Sequence, residues 1–175
     1  MKKTCLYLLA LSFLISACGG SGHDKKQDST ASAQAEEINP ATIPGIDKVV
    51  VSDSVSLEAN DNMQFNKDLF KIKSGKKITL ILKNVGAQTG APMSHNVVIL
   101  KKGTDIATFA DSARLAKKSQ FIPLSLTSSI IAHTNLVSAG KSAQIEFTVD
   151  KPGVYDFICS YEGHWGTMQG KIVAE

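Results

Sequence analysis

Cysteine is scarce in this sequence, and its scarcity excludes a disulfide framework. The chain of 175 residues has three cysteines, Cys5, Cys18 and Cys159. Because the first two lie at the N-terminal end, Cys159 is the one thiol in the region expected to fold. A lone thiol in an oxidising compartment needs either burial or a partner, and a metal ion is one candidate partner.

Long apolar runs are also lacking. The apolar run near the N-terminus, Leu6 to Ile15, is too short for a membrane-spanning helix, which needs about 20 apolar residues. Lys2 and Lys3 precede this run and small residues follow it. Residues 1–17 are therefore predicted to be a secretory signal peptide that is removed.

The end of this segment reads Ile15-Ser16-Ala17-Cys18, which resembles the lipobox of bacterial lipoproteins. Because of this resemblance we expect Cys18 to be acylated. The several acyl chains of a bacterial lipoprotein would anchor the protein stably to a bilayer. Gly19 rather than Asp follows this cysteine, and this resembles the enterobacterial sorting signal for the outer membrane. The alternative is an ordinary signal peptide with a chance cysteine near its cleavage point.

An excess of charge is absent as well. The chain has 19 basic and 16 acidic residues, and loss of Lys2 and Lys3 with the signal peptide leaves 17 basic residues against 16 acidic ones. A balance this close to neutral lacks the basic footprint of nucleic-acid binding.

Residues 18–46 are predicted to be a disordered tether. The stretch 19–44 is rich in Gly, Ser, Ala and Gln and contains no aromatic residue. Such a composition cannot bury enough apolar surface to offset the entropy of ordering the chain.

From residue 47 onwards, short runs of Val, Ile and Leu separated by turn signals are typical of an all-β domain. The runs lie at 48–57, 77–83, 96–100, 129–137, 143–149, 154–159 and 171–173. Residues 104–118 differ, because their apolar side chains have helical spacing, with Asp near the start and Lys near the end. We expect residues 47–175 to form an antiparallel sandwich or barrel with a short helical insertion.

Side chains that bind metals are concentrated between the last two predicted strands. Cys159, His164 and Met168 follow one strand and precede the next, and His95 stands at the head of the run 96–100. Two imidazoles, a thiolate and a weak thioether are the donor set of blue-copper electron-transfer sites. Singly, each has an ordinary interpretation: a buried inert cysteine, satisfied histidines and a core methionine. Their concentration in a cysteine-poor chain favours a metal site.

The spacing Cys-x4-His-x3-Met of this loop resembles the ligand loop of azurins, within the cupredoxin family. Segments that resemble azurins occur in the same order along the chain, at 60–66, 93–96, 131–134 and 168–170. The likeness covers about residues 50–175 and implies a cupredoxin-like Greek-key β-sandwich of about eight strands. Together with Cys18 and the tether, it makes the chain similar to lipid-modified azurins.

The resemblance implies one copper ion and a set of ligands for it. His95 and His164 would bind through imidazole nitrogens, Cys159 through its thiolate and Met168 as a distant axial ligand. The carbonyl of Ser94 would approach from the opposite side, although azurins usually have glycine at this position.

The resemblance also implies contacts around the ligands. Asn96 would join the two ligand loops through Ser160, and the backbone amide of Tyr161 would donate to the thiolate. Contacts of this kind orient ligands and tune a metal centre.

Electron transfer is the function that the resemblance implies, with copper cycling between Cu(I) and Cu(II). His164 is the expected exit for the electron, and small weakly polar interfaces suit transient redox encounters. The expected docking patch consists of Met63, Met93, Tyr161, Gly163, Trp165 and Gly166. Expected partners are redox proteins of the periplasm, such as c-type cytochromes, an oxidase or a peroxidase.

Two other functions stay open on the sequence alone. One is copper storage or delivery without electron shuttling, although the sequence has no Met- or His-rich tract of the kind such proteins expose. The other is a metal-free interaction module on the same sandwich. The sequence shows no acid–base pair or substrate pocket, so neither an enzyme nor a small-molecule substrate is expected.

Overall fold

The computed structural model describes residues 38–175. The predicted signal peptide, Cys18 and the predicted tether up to residue 37 lie outside the described residues. Within 38–175, no helix combines the length and the apolar character needed to span a membrane. The described chain has nine strands and one α-helix, in the order β1 Ser54–Asn60, β2 Gln64–Phe65, β3 Leu69–Ile72, β4 Lys77–Asn84, β5 Val98–Leu100, α1 Ile106–Leu115, β6 Ile130–His133, β7 Ser142–Thr148, β8 Gly153–Ile158 and β9 Gln169–Ala174.

The strands form a sandwich of two sheets, ordered β2-β1-β4-β7 and β3-β9-β8-β5-β6. Alternate residues of β4 are buried, as expected for a strand with one face on the core. The largest fully buried side chains between the sheets include Leu57, Leu80, Leu82, Phe157 and Ile172. The all-β sandwich predicted from the sequence is confirmed.

Both sheets are mixed, so the expectation of a purely antiparallel sandwich is wrong in two places. β1 pairs in parallel with β4, and β3 pairs in parallel with β9. After β2 the chain crosses to the other sheet as β3 and returns as β4. β1 and β4 therefore run in the same direction, a consequence of chain path that the alternation of apolar residues does not encode.

The strand predicted at 48–57 begins later than expected. Ile46–Lys48 forms a 3₁₀ turn after Gly45, which has a φ of 80°, and regular pairing starts only at Ser54. The strands β2 and β3 are not evident in the sequence pattern, because they have only two and four residues and the alternation rule needs longer runs.

The last residues of the predicted tether are structured. Pro40–Thr42 forms a 3₁₀ turn, and the Asn39 side chain accepts a hydrogen bond from Ala41 N–H at 3.0 Å. Ile43 and Pro44 line a cleft with residues of β3, β8 and β9. Ordered chain therefore extends to the N-terminal side of the predicted boundary at residue 47.

The helical insertion is confirmed as α1. Its N-terminus is capped by Asp105, whose carboxylate accepts a hydrogen bond from Thr108 N–H at 2.7 Å; this bond lowers the pKa of Asp105. On the inner face of the helix, Phe109 and Ala113 are fully buried. They form a second apolar cluster with Val98, Leu100, Ile122 and Ile158, so the insertion covers the outer face of the second sheet at β5 and β8.

Strand pairing brings the candidate ligands to one end of the sandwich. β8 is antiparallel to both of its neighbours, with Ile158 opposite Val98 of β5 and opposite Gln169 of β9. The segment before β5 therefore lies beside the loop between β8 and β9. The first segment holds His95, and the second is residues 159–168, called the ligand loop below.

Phe109→Ala is expected to destabilise the domain by about 3–5 kcal/mol, because it leaves a cavity under the insertion. Chemical denaturation in urea measures this change. Leu115→Ala on the same helix is the control, since Leu115 is 74% exposed and its truncation should change stability by less than about 0.5 kcal/mol. Equal effects of the two substitutions would contradict this account of how the helix packs.

Candidate metal centre

The ligand loop is closed by its own backbone. Cys159 N–H donates to the Met168 carbonyl at 2.8 Å, and His164 N–H donates to the Tyr161 carbonyl at 3.0 Å. Gly163 has a φ of 82°, a left-handed conformation that glycine adopts without steric cost. Cys159 and Met168, at the two ends of the loop, are completely buried, and His164 keeps 4% of its surface exposed.

His95 is fixed by a short bridge to a neighbouring segment. Its N–H donates to the Val137 carbonyl at 3.1 Å, and Val137 N–H donates back to the His95 carbonyl at 2.7 Å. The buried amide of Asn84 strengthens this arrangement by donating to the carbonyls of Met93 at 2.7 Å and Val137 at 2.9 Å. Sequence reasoning missed Asn84, although a polar residue at an inward-facing position of β4 was a usable signal.

Three potential metal ligands converge in a buried pocket. His95, Cys159 and His164 each offer one ligand atom, and these atoms lie within 4.8 Å of one another. The Cys159 Sγ is 3.7 Å from His164 Nδ1, which is 3.2 Å from His95 Nδ1. Sequence reasoning predicted all three residues, and the structure brings them together.

These separations fit a single ion. In zinc proteins, imidazole nitrogens bind at about 2.0–2.1 Å and thiolates at about 2.3 Å, so two ligands of one such ion lie no more than about 4.4 Å apart. The separations of 3.2 Å and 3.7 Å meet this limit. The separation between the ligand atoms of Cys159 and His95 is at most 4.8 Å, and this upper bound is within about half an ångström of the limit of about 4.4 Å. One thiolate and two imidazoles form a donor set suited to copper.

Burial sets the protonation states of the three groups. Burial, together with the neighbouring His95, lowers the pKa of His164 to about 4. Burial also lowers the pKa of His95, against the opposing effects of the Asp61 charge and the Asn60 backbone. Both imidazoles are therefore neutral near pH 7 and have a lone pair available for a metal.

Cys159 behaves in the opposite way. Burial raises the pKa of its thiol to about 11, although the backbone N–H groups of Asn96 and Tyr161 favour the thiolate. At neutral pH the metal-free cysteine is a thiol. Because the thiolate is the form that binds metals, binding must release this proton.

A pair of polar side chains joins the two ligand segments. The Asn96 amide donates to Ser160 Oγ at 2.9 Å, and Ser160 N–H donates to Asn96 Oδ1 at 2.8 Å. Both residues are buried and each directly follows a potential ligand. The Tyr161 ring lies between Phe121 and His164 in tilted contacts, with ring centroids 4.7 Å away on each side and interplanar angles of 52° and 51°.

Met168 closes the ligand loop beside Cys159, and Ser94 is the chain neighbour of His95. Met168 belongs to the same core cluster as Cys159, so its thioether is shielded from water. Ser94 is half-buried and directly precedes His95. Their roles as an axial ligand and as a carbonyl contact stay predictions.

The residues of the predicted docking patch differ in exposure. Gly163 and Gly166 are exposed, whereas Met63, Met93 and Trp165 are half-buried. Trp165 packs against the apolar cluster under the insertion, so part of its ring is covered, and its place in the docking patch stays a prediction. The large side chain of Trp165 reaches this apolar surface and so connects the ligand loop to the helical insertion.

Binding of one Zn²⁺ at pH 7, used as a redox-inert probe, is expected to release about one proton, because the Cys159 thiol must ionise while both imidazoles are already neutral. A pH indicator in weakly buffered solution measures this release. The affinity should also rise with pH by about tenfold per unit below the pKa of the thiol. Cys159→Ser should abolish the proton release, and an unchanged release in that variant would place the proton on another group.

Comparisons with known proteins agree with this geometry. Residues 51–175 match the family model of copper binding proteins of the plastocyanin/azurin family. Azurin from Alcaligenes faecalis is 36% identical over 122 residues, which cover 67% of this chain and 94% of the azurin. Outer membrane protein H.8 from Neisseria meningitidis serogroup B is also 36% identical, over 68% of this chain and 66% of its own length.

A solved structure extends the likeness to three dimensions. Auracyanin from the photosynthetic bacterium Roseiflexus castenholzii superposes with a TM-score of 0.65 at 31% identity, over 72% of this chain and 99% of the auracyanin. Copper is the metal that the matched family binds, and the three clustered ligands suit it. The chain therefore belongs to the plastocyanin/azurin family of copper binding proteins, and its fold is that of a cupredoxin.

Proposed function

We propose that this chain is a membrane-anchored blue-copper electron carrier of the periplasm that shuttles electrons between respiratory redox proteins. The observation that carries the proposal is the gathering of one thiol and two imidazoles within 4.8 Å in a buried pocket. Membership of the copper-binding family supports it, since blue-copper electron transfer is typical of such donor sets. We propose no catalytic activity and no small-molecule substrate.

In this proposal His95, His164 and Cys159 would hold the copper, with the Met168 thioether and the Ser94 carbonyl as weaker additional donors. When bound, copper supplies a one-electron couple between Cu(I) and Cu(II). The protein holds the ligand atoms in place before binding, because both segments that bear them are fixed by buried hydrogen bonds. A fixed set of ligands changes little between the two oxidation states, and this keeps the barrier to electron transfer low.

The electron would enter and leave at the His164 end of the pocket. His164 keeps a small exposed surface, whereas His95 has none. The exposed Gly163 and Gly166 flank His164 and present backbone rather than bulky side chains. This arrangement supports close approach by a redox protein such as a c-type cytochrome, an oxidase or a peroxidase.

The anchor of the proposed carrier is a lipid on Cys18, exposed when residues 1–17 are removed, with a tether before the folded domain. The lipobox-like sequence Ile15 to Cys18 supports it. So does the similarity to a protein named as an outer membrane protein of Neisseria. We propose the outer membrane, on its periplasmic side, as the location.

Addition of Cu(II) to the purified full chain should produce an intense blue colour from thiolate-to-copper charge transfer. Cys159→Ser should abolish the colour, because the thiolate is the donor of the transition. Met168→Leu should keep the colour and raise the reduction potential, since an apolar axial side chain disfavours the more highly charged Cu(II). Absorption spectroscopy and voltammetry measure both effects. A colourless wild-type protein would refute the site, and release of copper on reduction would favour storage or delivery over electron transfer.

Cys18→Ser, expressed with the native N-terminus, should move the protein from the membrane fraction to the soluble fraction, because the acyl acceptor is lost. Fractionation with immunodetection measures the distribution. The blue colour should be unchanged, since residue 18 is outside the copper domain. Persistent membrane association of this variant would contradict the proposed lipid anchor.

A further inference from the structure

Strained backbone in the described part of the chain is concentrated at three residues. Met63, Gln120 and Phe121 are the residues other than glycine that have a positive φ within 38–175, at 53°, 56° and 63°. Residues with bulky side chains rarely adopt this conformation, because the side chain crowds the backbone. Strain that persists at such positions points to a required direction of the backbone.

The carbonyl groups of these three residues share one role. The Met63 carbonyl accepts a hydrogen bond from Thr167 Oγ1 at 2.8 Å, and the Phe121 carbonyl accepts one from Ser160 Oγ at 2.8 Å. The Gln120 carbonyl lies 3.4 Å from the Asn96 amide nitrogen, which donates to it. Every strained residue therefore holds a polar side chain from one of the two segments that carry the proposed ligands.

The three donors have a second property in common. Asn96 directly follows His95, Ser160 directly follows Cys159, and Thr167 directly precedes Met168. Each strained carbonyl thus fixes the chain one residue away from a proposed ligand. The contacts act at the first ligand segment and at both ends of the ligand loop.

The strained turns are themselves held by local hydrogen bonds. Met63 N–H donates to the Asn60 carbonyl at 3.2 Å, and the Asn60 side chain accepts from Asn62 and Gln64 N–H at 2.9 Å and 3.2 Å. These bonds keep the turn between β1 and β2 closed, so the Met63 carbonyl has a fixed direction.

The second turn is fixed in a similar way. Phe121 N–H donates to the Ala116 carbonyl at 2.9 Å, and the Gln120 side chain accepts from Leu136 N–H at 2.9 Å. Leu136 precedes Val137, the residue that bridges to His95. The turn that follows the helical insertion therefore contacts both ligand segments, because Gln120 binds Asn96 and Phe121 binds Ser160.

We propose that Met63, Gln120 and Phe121 are positioning residues whose carbonyl groups, here called the carbonyl clamp, set the spacing of the copper ligands. The proposal rests on the copper function proposed above and adds a cause for the geometry of the site. In the metal-free protein the clamp holds the ligand loop closed, so that the positions of the cysteine sulfur and the imidazoles do not depend on the ion. In the loaded protein it resists displacement of the loop when the charge on copper changes.

The donor side is tested at Thr167 with the full chain. Thr167→Val keeps the shape of the side chain and removes the hydroxyl donor, whereas Thr167→Ser keeps the donor. Thr127→Val is the matched control, because Thr127 is exposed and its hydroxyl contacts only the local Leu124 carbonyl at 3.3 Å. Hydrogen exchange of the amides in residues 161–168 is measured without metal, and copper affinity and the charge-transfer spectrum are measured with it.

Thr167→Val is expected to speed amide exchange in the loop, to shift the charge-transfer band and to weaken copper binding by about 10-fold or more, as for other residues that orient metal ligands. Thr167→Ser and Thr127→Val should both resemble the wild type. A shift of the spectrum distinguishes positioning from a general loss of stability, which would leave the coordination of the folded fraction unchanged.

The acceptor side is tested at Met63. Met63→Gly keeps the carbonyl and adopts a positive φ without strain, so loop exchange and the spectrum should stay close to the wild type. Met63→Val should behave like Thr167→Val, because a β-branched side chain disfavours this conformation and would redirect the carbonyl.

Wild-type exchange and an unshifted spectrum in either Thr167→Val or Met63→Val would overturn the clamp. Failure of the copper function has a different signature, because the wild-type protein itself would then be colourless. In that case the exchange rates of the metal-free variants still decide whether the clamp holds the loop.

Discussion

The antiparallel pairing of β8 with β5 on one side and β9 on the other is the constraint on which the metal centre depends. It places the chain just before β5 beside the chain just after β8, although His95 and Ile158 are 63 positions apart in the sequence. Once these strands are in register, the ligand side chains are close enough to bind one metal ion. Three further contacts then restrict the movement of the two ligand segments. They come from the helical insertion, from the short bridge between His95 and Val137, and from the amide of Asn84.

Burial of the ligands has consequences of opposite sign for the two kinds of donor. It keeps the imidazoles neutral, which prepares them to bind a metal, and it keeps the thiol protonated, which makes metal binding compete with a proton. Burial also strengthens the hydrogen bonds near the site and raises the free-energy cost of any polar group left unpaired there. The paired amide of Asn96 and hydroxyl of Ser160 therefore have a double role, since they satisfy buried groups and join the two ligand segments.

Much of the fold and of the candidate site could be predicted from the sequence. The alternation in 77–83 and 143–149 and the helical spacing in 104–118 are local signals, and the structure has strands and a helix there. Cys159 and His164 are five residues apart, so a single loop suffices to bring them together. The parallel pairs, the short strands β2 and β3 and the inward packing of Trp165 could not be predicted, because they depend on partners that are distant in the sequence.

The sequence by itself determined the chemical character of this protein: one thiol in the region expected to fold, two histidines and a methionine in segments next to predicted strands, and an N-terminus that resembles a lipoprotein signal. Residue identity carries that information, because donor chemistry does not depend on where the chain goes. Only the tertiary structure decided which atoms meet, how deeply they are buried and which backbone carbonyls hold them. Those properties arise from strand register and from turns such as those at Met63 and Phe121. No local pattern of residues predicts the register or the turns.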